Sequence, residues 1–295
     1  MITFCIPIYN QDVNQLVDTI IEQAKAIDLT FQVLCFDDMS TEEYKKLNSK
    51  LGLKLNVSYT ELSENIGRSR IRNKMAKFAR YDWMVFLDGD SQILNEDFVA
   101  NYLEIKGKQS VVYGGRKYQK EKPGNDHSLH YKYGKKVESI PVQKRLQDRY
   151  TSFLSNNFLV SAWVMSRYPF DETLSTYGYE DLEWAERLKK DNIMIHHIDN
   201  PIIHLGLDTN ESFMSKTEEG IRNLVELYSS KKIKKSRLIK FYKTWQSLFL
   251  LPVIRLWFKS RGVKTTNKLK SGKGSLFSLQ FYKLVLFDHY LQQSI

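Results

Sequence analysis

Short apolar runs alternate with helical segments through the first ninety residues, and this alternation constrains the fold more than any other feature of the sequence. Runs of strand length occur at 2–8, 31–36 and 83–87. Between the first two runs, apolar residues recur at helical spacing over 16–27. Strands that alternate with helices form a mainly parallel sheet, because each helix returns the chain to the end of the sheet at which the previous strand began. We therefore predict an α/β fold with a doubly wound sheet.

The rest of the chain carries weaker patterns. The polar stretch 116–136 has no strong periodicity and contains Pro123-Gly124, so a long loop is predicted there. An apolar stripe favours a helix over 180–190. The other predicted elements are helices at 41–51, 67–80 and 96–106, strands at 53–59, 111–113, 158–164 and 193–198, and regular structure over 142–153.

Composition narrows the class of protein. The 295 residues can bury a sizeable core in one large domain or two smaller ones. A hydrophobic content of 42% and a charged content of 26% exclude disordered, collagen-like and disulfide-scaffold proteins. Cys5 and Cys35 lie in apolar runs, which favours buried thiols in a reducing compartment. The first residues lack the features of a secretory signal, so the expected location is the cytoplasm.

Charge is concentrated in the last part of the chain. Residues 231–295 hold 15 Lys or Arg and one acid, a net charge of +14, whereas residues 1–230 hold 29 basic and 33 acidic residues, a net charge of −4. The longest uncharged run there, 244–254, has eleven residues, and a spanning helix needs about 20, so no conventional transmembrane helix is expected. One helical face carries apolar and aromatic residues, namely Leu238, Phe241, Tyr242, Trp245, Leu248 and Phe249.

Aromatic residues beside many lysines are typical of amphipathic helices that lie on a membrane. We therefore predict that 231–295 holds the protein on an anionic membrane surface, at its cytoplasmic face. The alternative is a helical subdomain that packs on the rest of the chain or on a dimer partner. The sequence assigns no oligomeric state.

Acidic and amide side chains follow three of the predicted strands. In a parallel sheet, ligands bind beyond the carboxyl ends of the strands. The first strand ends at Tyr9-Asn10, the second at Asp37-Asp38 and the fourth at Asp88-Gly89-Asp90. Four aspartates at two neighbouring strand ends would repel one another, so a cation or hydrogen-bond donors are expected there.

Two of these places have a chemical interpretation and a structural alternative. Asp88 and Asp90 can offer hard oxygen ligands to Mg²⁺ or Mn²⁺ and leave sites for diphosphate oxygens, or Asp88-Gly89 can be a solvated turn. Asn65-Ile66-Gly67 opens a helix that contains Arg68, Arg70 and Arg72, which suits an anion, or Asn65 can simply cap that helix.

A second acidic segment begins the predicted helix at 180. Glu180 and Asp181 can be partners of the helix dipole, or one of them can take a proton from an attacking hydroxyl. His196, His197 and His204 follow the helix, and one of them can complete an aspartate-based metal site.

Taken in order, these motifs resemble those of the inverting, nucleotide-sugar-dependent glycosyltransferases of family 2, which have the GT-A fold with its Rossmann-like sheet. The resemblance covers roughly residues 1–206. The matching segments are Pro7-x-Tyr9-Asn10, Asp37-Asp38-x-Ser40, Asn65-x-Gly67 with Arg72-Asn73, Asp88-Gly89-Asp90, Asn156-Asn157, Phe170-Asp171-Glu172 and Tyr177-Gly178-Tyr179-Glu180-Asp181.

The resemblance implies roles for individual residues. Asp38 accepts a hydrogen bond from the uracil imino group. Asp90 ligates Mn²⁺ or Mg²⁺, Asp88 binds ribose or a metal-bound water, and His204 completes the metal site. Asp181 is the general base. Glu180 holds the acceptor or the donor sugar, and the remaining nucleotide-sugar contacts are Pro7, Tyr9, Gly67 and Arg72.

The implied organisation is a glycosyltransferase domain over 1–210, with a nucleotide-sugar half at 1–90 and an acceptor half at 91–210, and a basic helical extension at 211–295. The implied activity is of the hexosyltransferase type. It moves a sugar from a nucleotide-sugar, expected to be a UDP-sugar, to a glycan or lipid-linked acceptor in cell-surface polysaccharide synthesis.

Two other functions are weighed against this one. A sugar nucleotidyltransferase needs a glycine-rich phosphate loop after the first strand, where this chain has Tyr9-Asn10-Gln11. A non-enzymatic nucleic-acid binder would fit the isoelectric point of about 9.3, but the basic residues concentrate in an aromatic segment and the rest is net acidic. Nucleic acid is therefore not an expected partner.

Overall fold

The structure is a computed structural model that describes residues 1–174 and 176–294. The chain divides into two compact units that interleave along the sequence. The first unit comprises Met1–Gln119, Ser139–Ser175 and Arg187–Gly206, and the second comprises Lys120–Glu138, Thr176–Glu186 and Leu207–Ile295. Two internal segments thus belong with the C-terminal helices rather than with their neighbours in the chain.

The strands of the described residues all belong to the first unit. They are β1 (Ile2–Ile8), β2 (Phe31–Asp37), β3 (Val57–Glu61), β4 (Trp83–Leu87), β5 (Ser91–Gln92), β6 (Val111–Tyr113), β7 (Arg116–Tyr118), β8 (Asn157–Ser161), β9 (His196–His197) and β10 (Ile202–His204).

The helices occur in both units. They are α1 (Asn14–Ala26), α2 (Glu42–Asn48), α3 (Gly67–Phe78), α4 (Phe98–Ile105), α5 (Ser128–Tyr133), α6 (Val142–Arg145), α7 (Ala162–Arg167), α8 (Glu180–Lys190), α9 (Asn210–Ser229), α10 (Arg237–Ser247), α11 (Leu251–Lys270) and α12 (Leu276–Gln293).

The main sheet has the strand order β3-β2-β1-β4-β8-β6-β9 among the described residues. The pairs β1–β2, β1–β4, β2–β3 and β6–β9 are parallel, whereas β8 runs antiparallel to both of its neighbours. The predicted α/β fold with a mainly parallel sheet is confirmed. Because β1 lies between β2 and β4, the aspartates that follow β2 and β4 are not on neighbouring strands, and that expectation is wrong.

The main core forms where β1 and α1 meet. Ile2, Phe4 and Ile6 alternate along β1 and are fully buried. Val17 and Ile20 of α1 are also fully buried in the same cluster. Burying a side chain of this size stabilises the fold by about 1.5–3 kcal/mol. The alternating residues of β1 and the helical stripe of α1 therefore pack into one apolar layer. This layer fixes the positions of the strand ends that carry the polar motifs.

A small second sheet occupies part of the stretch that was predicted to be a loop. It has the order β5-β10-β7, with His204 opposite Ser91 and beside Tyr118. The loop prediction for 116–136 is wrong, because β7 and α5 lie within it. The partner of β7 is more than eighty residues away in the sequence, and α5 has six residues, so neither element has a local period that sequence analysis detects.

Contacts with the C-terminal helices explain why 120–138 belongs to the second unit. The backbone N–H of Leu129 donates to Asn210 Oδ1 at 2.8 Å, and Lys132 Nζ donates to the Gly272 carbonyl at 2.9 Å. Leu129 is fully buried in an apolar cluster with residues of α9, α11 and α12, namely Phe213, Met214, Leu269, Leu279 and Tyr282.

The helix α10 turns its predicted membrane face toward the protein. Leu238 and Tyr242 are buried, and the ring of Tyr242 lies 5.1 Å from that of Phe287 in α12. The expectation that these two residues meet lipid is therefore wrong, because α12 covers them. Phe249, at the end of the same sequence pattern, remains 87% exposed. In the described part of the chain, no helix combines the length and apolarity that a bilayer-crossing segment requires.

This packing predicts different stabilities for two leucines of the C-terminal helices. Leu238→Ala removes a side chain that is 4% exposed and should lower the free energy of unfolding by about 2–4 kcal/mol, through lost burial and the cavity that remains. Leu256→Ala, at a position 71% exposed, should change it by no more than about 0.5 kcal/mol. Urea unfolding followed by circular dichroism compares the two, and equal effects would contradict the assignment of the buried face.

Candidate active site

Asp38, at the carboxyl end of β2, caps the helix α3. Its carboxylate accepts hydrogen bonds from the backbone N–H groups of Ile66, at 2.7 Å, and Gly67, at 3.0 Å. Gly67 has φ of +80°, a conformation that favours glycine. Burial raises the pKa of Asp38, although the two N–H donors act in the opposite direction. A carboxylate has about four acceptor positions, so Asp38 can still accept a hydrogen bond from a ligand.

Tyr9 and Pro7 lie at the neighbouring strand end. Pro7 pairs with Phe36 in the β1–β2 register, and Tyr9 follows β1 with more than half of its side chain exposed. A Cβ at Gly89 would lie 3.2 Å from the Pro7 carbonyl, so the turn after β4 passes close to β1. The structure therefore brings an accessible aromatic ring to the edge of the sheet that also carries the aspartate motifs.

Asp88 is surrounded by arginines. Arg72, which is 1% exposed, donates from Nη2 to Asp88 Oδ1 at 2.7 Å. Arg68 and Arg116 approach Asp88 Oδ2 at 3.6 and 3.8 Å. Asp88 is thus the carboxylate partner of three guanidinium groups that come from α3 and β7. The contact from Arg72 is a charge-assisted hydrogen bond, which is among the stronger kinds and fixes both partners in place.

Arg116 is the member of this site that sequence analysis missed. It lies at the start of the stretch that was predicted to be a loop, and its position depends on the pairing of β7 with β10. The available signal was its place three residues after the predicted strand 111–113, across Gly114-Gly115. Nothing in the local pattern indicates that this arginine reaches Asp88.

Asp90 pairs with His204. The distance between Asp90 Oδ1 and His204 Nδ1 is 3.1 Å, and the Asp90 carbonyl accepts a hydrogen bond from the Leu205 N–H at 2.8 Å. Burial by itself would raise the pKa of Asp90, but His204, Arg116 and Arg68 outweigh it and hold that pKa well below its usual range. The structure therefore joins two of the three residues that the resemblance implies for the metal site, the third being Asp88.

These residues fit a divalent cation as a pair of protein ligands. Within 1–174 and 176–294, no group of three or more His, Cys, Asp or Glu side chains is arranged to hold a metal ion. Carboxylate oxygen suits Mn²⁺ and Mg²⁺, imidazole is a common metal ligand, and such ions often take few protein ligands together with phosphate oxygens and water. A Cβ at Gly206 would overlap Asp90 Oδ2, so the glycine keeps space beside this carboxylate.

Asn73 connects α3 with the Phe170 segment. Its Nδ2 donates to the Phe170 carbonyl and to Glu172 Oε1, both at 2.9 Å, and its Oδ1 accepts from the Phe170 N–H at 2.8 Å. The ring of Phe170 also lies 5.8 Å from the Arg72 guanidinium carbon. The Arg72-Asn73 pair therefore holds two different parts of the first unit, and the role of Asn73 is structural support.

A buried polar network supports the strand that delivers Arg116. Asn157 Nδ2 donates to the Gly115 carbonyl at 2.9 Å. The Arg145 guanidinium donates to the carbonyls of Gly114, at 3.2 Å, and Ile198, at 2.8 Å, and it contacts His197 Nδ1 at 3.2 Å. Arg145 is 2% exposed, so backbone carbonyls take the place that a carboxylate usually has beside a buried arginine.

In the second unit, Asn223 of α9 holds the segment that precedes α8. Its Nδ2 lies within hydrogen-bond distance of the carbonyls of Thr176, Tyr177 and Gly178, at 3.2–3.3 Å, and its Oδ1 accepts from Thr176 Oγ1 at 2.8 Å. Gly178 has φ of +102°, and a Cβ there would lie 3.1 Å from the Cα of Gly220. Close backbone approach and the amide of Asn223 thus set the entry into α8.

Glu180 and Asp181 occupy the first turn of α8, as predicted. Glu180 is 4% exposed. Acidic side chains are favoured at the N-terminal end of a helix, because the free backbone N–H groups there carry partial positive charge. Tyr179, immediately before them, has φ of +70°, and burial raises its pKa to about 12. The structure places these carboxylates in a tightly held turn, and their catalytic roles stay a prediction.

The sequence of this chain matches a known protein family over more than half of its length. The sequence model of the family described as Glycosyl transferase family 2 covers residues 3–174. The chain belongs to this family. The resemblance to family 2 glycosyltransferases is confirmed, and the protein is assigned to the glycosyltransferases. A search of curated protein sequences found no match.

Solved structures support the GT-A fold at low sequence identity. A mannosyltransferase from Pyrobaculum calidifontis, PcManGT, in complex with GDP-Man and Mn²⁺, is 12% identical, with a TM-score of 0.62 over 99% of this chain and 87% of that one. TarS 1–349 from S. aureus with UDP-GlcNAc is 16% identical, with a TM-score of 0.51 over 99% and 92%.

A third similar structure is glucosyl-3-phosphoglycerate synthase from Mycobacterium tuberculosis, in complex with Mn²⁺, UDP-Glc and phosphoglyceric acid. It is 15% identical, with a TM-score of 0.51 over 80% of this chain and 81% of that one. At such identities the likeness concerns the fold, which the predicted α/β architecture shares.

The polar network predicts how stability depends on pH. Burial, together with Arg145, lowers the pKa of His197 to about 4 in the folded protein, against about 6.5 when unfolded. Between these values the unfolded chain binds more protons, so the free energy of unfolding should fall by about 2–3 kcal/mol as pH drops from 6.5 to 4. Urea unfolding of the wild type and His197→Gln across this range isolates the effect, since other groups titrate in both. Parallel curves would contradict it.

Proposed function

We propose that the protein is a metal-dependent, inverting glycosyltransferase that moves a sugar from a nucleotide-sugar, a UDP-sugar, to a glycan or lipid-linked acceptor in cell-surface polysaccharide synthesis. The observation that carries the proposal is the arrangement at the end of β4, where Asp88 meets three arginines and Asp90 meets His204. The membership of the protein in Glycosyl transferase family 2 supports the proposed type of reaction, which is sugar transfer.

The arginines suit the diphosphate of the donor. Three guanidinium groups and two carboxylates sum to a net charge of +1 at this strand end, His204 not counted. Planar guanidinium groups bind phosphate oxygens in pairs, which fixes orientation as well as charge. Arg72 is anchored on Asp88, and Arg68 and Arg116 add positive charge at the same strand end. Arg68 and Arg116 are our candidates for direct diphosphate contact.

The nucleoside would bind at the ends of β1 and β2. Asp38 retains acceptor positions for the imino N–H of uracil, and the exposed ring of Tyr9 offers a surface for stacking on the base. Pro7 and Gly67 line the same strand ends. UDP-GlcNAc and UDP-Glc are the donors in two of the similar structures, and GDP-Man is the donor in the third.

Asp90 and His204 would hold Mn²⁺ or Mg²⁺, and Asp88 would contribute through ribose or a metal-bound water. When bound, the ion supplies positive charge that stabilises the departing diphosphate. Two of the similar structures contain Mn²⁺. The chain's own contribution is to present a carboxylate and an imidazole 3.1 Å apart on two paired strand ends.

Asp181 is proposed as the general base. The acceptor oxygen bonds to the anomeric carbon as the bond from that carbon to the diphosphate oxygen breaks, the hydroxyl proton passes to the Asp181 carboxylate, and the nucleoside diphosphate leaves with the electron pair. Glu180 would hold a sugar hydroxyl. Asn223 would act as a positioning residue, because it fixes the three carbonyls that precede α8.

A donor screen tests the proposed function. Release of nucleoside diphosphate is measured for UDP-, GDP- and TDP-sugars with Mn²⁺, in the presence of simple glycan and lipid-phosphate acceptors. Turnover with UDP-sugars supports the proposal. Turnover confined to another nucleotide would overturn the assignment of Asp38, and the absence of turnover with every donor would overturn the activity.

The metal ligands make a graded prediction for the donor that this screen identifies. Asp90→Asn removes one anionic ligand and should abolish metal-dependent turnover, because the diphosphate charge is then uncompensated. His204→Ala should weaken the apparent affinity for Mn²⁺ less severely. Metal titrations of both variants are compared with Asp97→Asn, an aspartate outside the proposed site. Chelator-insensitive activity in Asp90→Asn would contradict the metal assignment.

The proposed base predicts a separation between donor binding and transfer. Asp181→Asn should retain nucleotide-sugar binding by calorimetry and lose transfer by about 10²–10⁴-fold, the usual contribution of a positioned base. Transfer within a few-fold of the wild type would assign the proton transfer elsewhere, with Glu180 the next candidate.

Asn223 provides the matched comparison for this experiment. Asn223→Ala should lower kcat for transfer and leave nucleotide-sugar binding intact, and adding it to Asp181→Asn should cost little more, since a positioning residue acts through the group it positions. Independent losses in the double variant would show that Asn223 has no role in positioning Asp181.

A further inference from the structure

The helix α11 carries two apolar stripes on opposite sides, and only one of them is covered by the second unit. The inner stripe packs inward: Leu251, Ile254 and Leu269 are buried, and the ring of Phe258 lies 6.2 Å from that of Tyr282 in α12. Spacings of three, four and eleven residues place these four side chains on one helical face.

The outer stripe is exposed to solvent. It comprises Val253, Leu256 and Val263 on the side opposite Leu251 and Ile254, with Trp257 at its edge, 41% exposed and with its ring 6.3 Å from that of Phe281 in α12. Leu256 is 71% and Val263 is 79% exposed. A helix that is apolar on two opposite sides has more apolar surface than one internal core requires, and exposed apolar side chains that cluster on one helical face favour an interaction site.

The turn that leads into α11 extends this exposed apolar material. Leu248 and Phe249 lie between α10 and α11, and Phe249 has φ of +56° with most of its side chain in solvent. Together with the outer stripe, these two residues form what we call the outer apolar surface, namely Leu248, Phe249, Val253, Leu256, Trp257 and Val263.

Basic residues flank the outer stripe. Lys259 lies on one side of it, Arg261 and Lys268 lie on the other, and all three are exposed. Asp288 is the one acid between 231 and 295, and it is buried and bound by Arg255 at 2.6 and 2.9 Å. The surroundings of the outer apolar surface within this segment therefore carry positive charge without an exposed carboxylate.

We infer that the outer apolar surface docks on an anionic lipid bilayer, with α11 lying in the plane of the interface. Apolar side chains enter the boundary between headgroups and acyl chains, Trp257 lies at that boundary, and the flanking lysines and arginines contact anionic headgroups. The inference goes beyond the proposed function and assigns the membrane association predicted for 231–295 to a surface different from the α10 face, which α12 covers.

Charge favours lipid over a second copy of the chain as the occupant. Two copies meeting through this surface would bring together segments that each carry a net charge of +14, and the segment has no exposed acid to pair with a partner's lysines. An anionic leaflet instead attracts each flanking Lys and Arg. An anionic bilayer offers both the apolar medium and the opposite charge that this surface needs.

Vesicle partition of the full chain tests the inference. With phosphatidylcholine vesicles that contain about one third phosphatidylglycerol, the wild type should co-sediment at low salt and dissociate as salt rises, and vesicles of phosphatidylcholine alone should bind it weakly. Phe249→Ser combined with Leu256→Ser should lower partition by about tenfold or more, since both side chains would otherwise enter the interface.

Matched variants separate the surface from general charge. Leu53→Ser combined with Leu55→Ser, at exposed leucines of the first unit, should leave partition unchanged. Lys259→Gln combined with Arg261→Gln should lower partition several-fold and weaken its dependence on salt. Brominated acyl chains should quench the fluorescence of the wild type, and Trp257→Phe should remove most of that quenching.

Two results would overturn the inference. One is unchanged partition of the Phe249→Ser and Leu256→Ser variant, which would leave charge as the cause of binding. The other is a wild-type dimer in light scattering that this variant converts to a monomer while neither binds vesicles, which would assign the surface to a second copy. Neither measurement involves sugar transfer, so this inference and the proposed glycosyltransferase activity can fail separately.

Discussion

The ion pair between Arg72 and Asp88 is the interaction on which the candidate donor site depends. Arg72 is 1% exposed, and removing Asp88 would leave a buried positive charge, a defect that typically costs about 3–5 kcal/mol. The same carboxylate draws Arg68 from α3 and Arg116 from β7 toward the strand end. One aspartate thus organises guanidinium groups from separate parts of the first unit, beside the pair formed by Asp90 and His204.

The C-terminal helices have a structural role beyond any contact with membrane. Asn223 and Gly220 of α9 set the backbone of the segment that enters α8, and α9 is itself packed against α12. The carboxylates proposed for acceptor chemistry therefore depend on a helix outside the region that the family model matches. Substitutions in α9 are expected to affect transfer without touching the nucleotide site.

The apolar residues of the last helices fall into a buried group and an exposed group. Leu238 and Tyr242 fill the interior of the second unit, whereas Leu256 and Val263 remain in solvent. Both sets recur at helical spacing, so periodicity marks each as a stripe and does not say which stripe is covered. A buried stripe contributes stability, and an exposed one is open to a partner, so the two sets respond differently to substitution.

The sequence alone determined the α/β class, the strand ends that carry Asp38, Asp88 and Asp90, and the helix beginning at Glu180, because these follow from short-range periodicity and from motifs in a set order. Only the tertiary structure decided that Arg116 reaches Asp88 and that 120–138 joins the C-terminal helices. Each of these depends on pairing between segments far apart in the chain, such as β7 with β10. Local propensity cannot report such pairing, since its energy exists only once distant strands and helices have packed together.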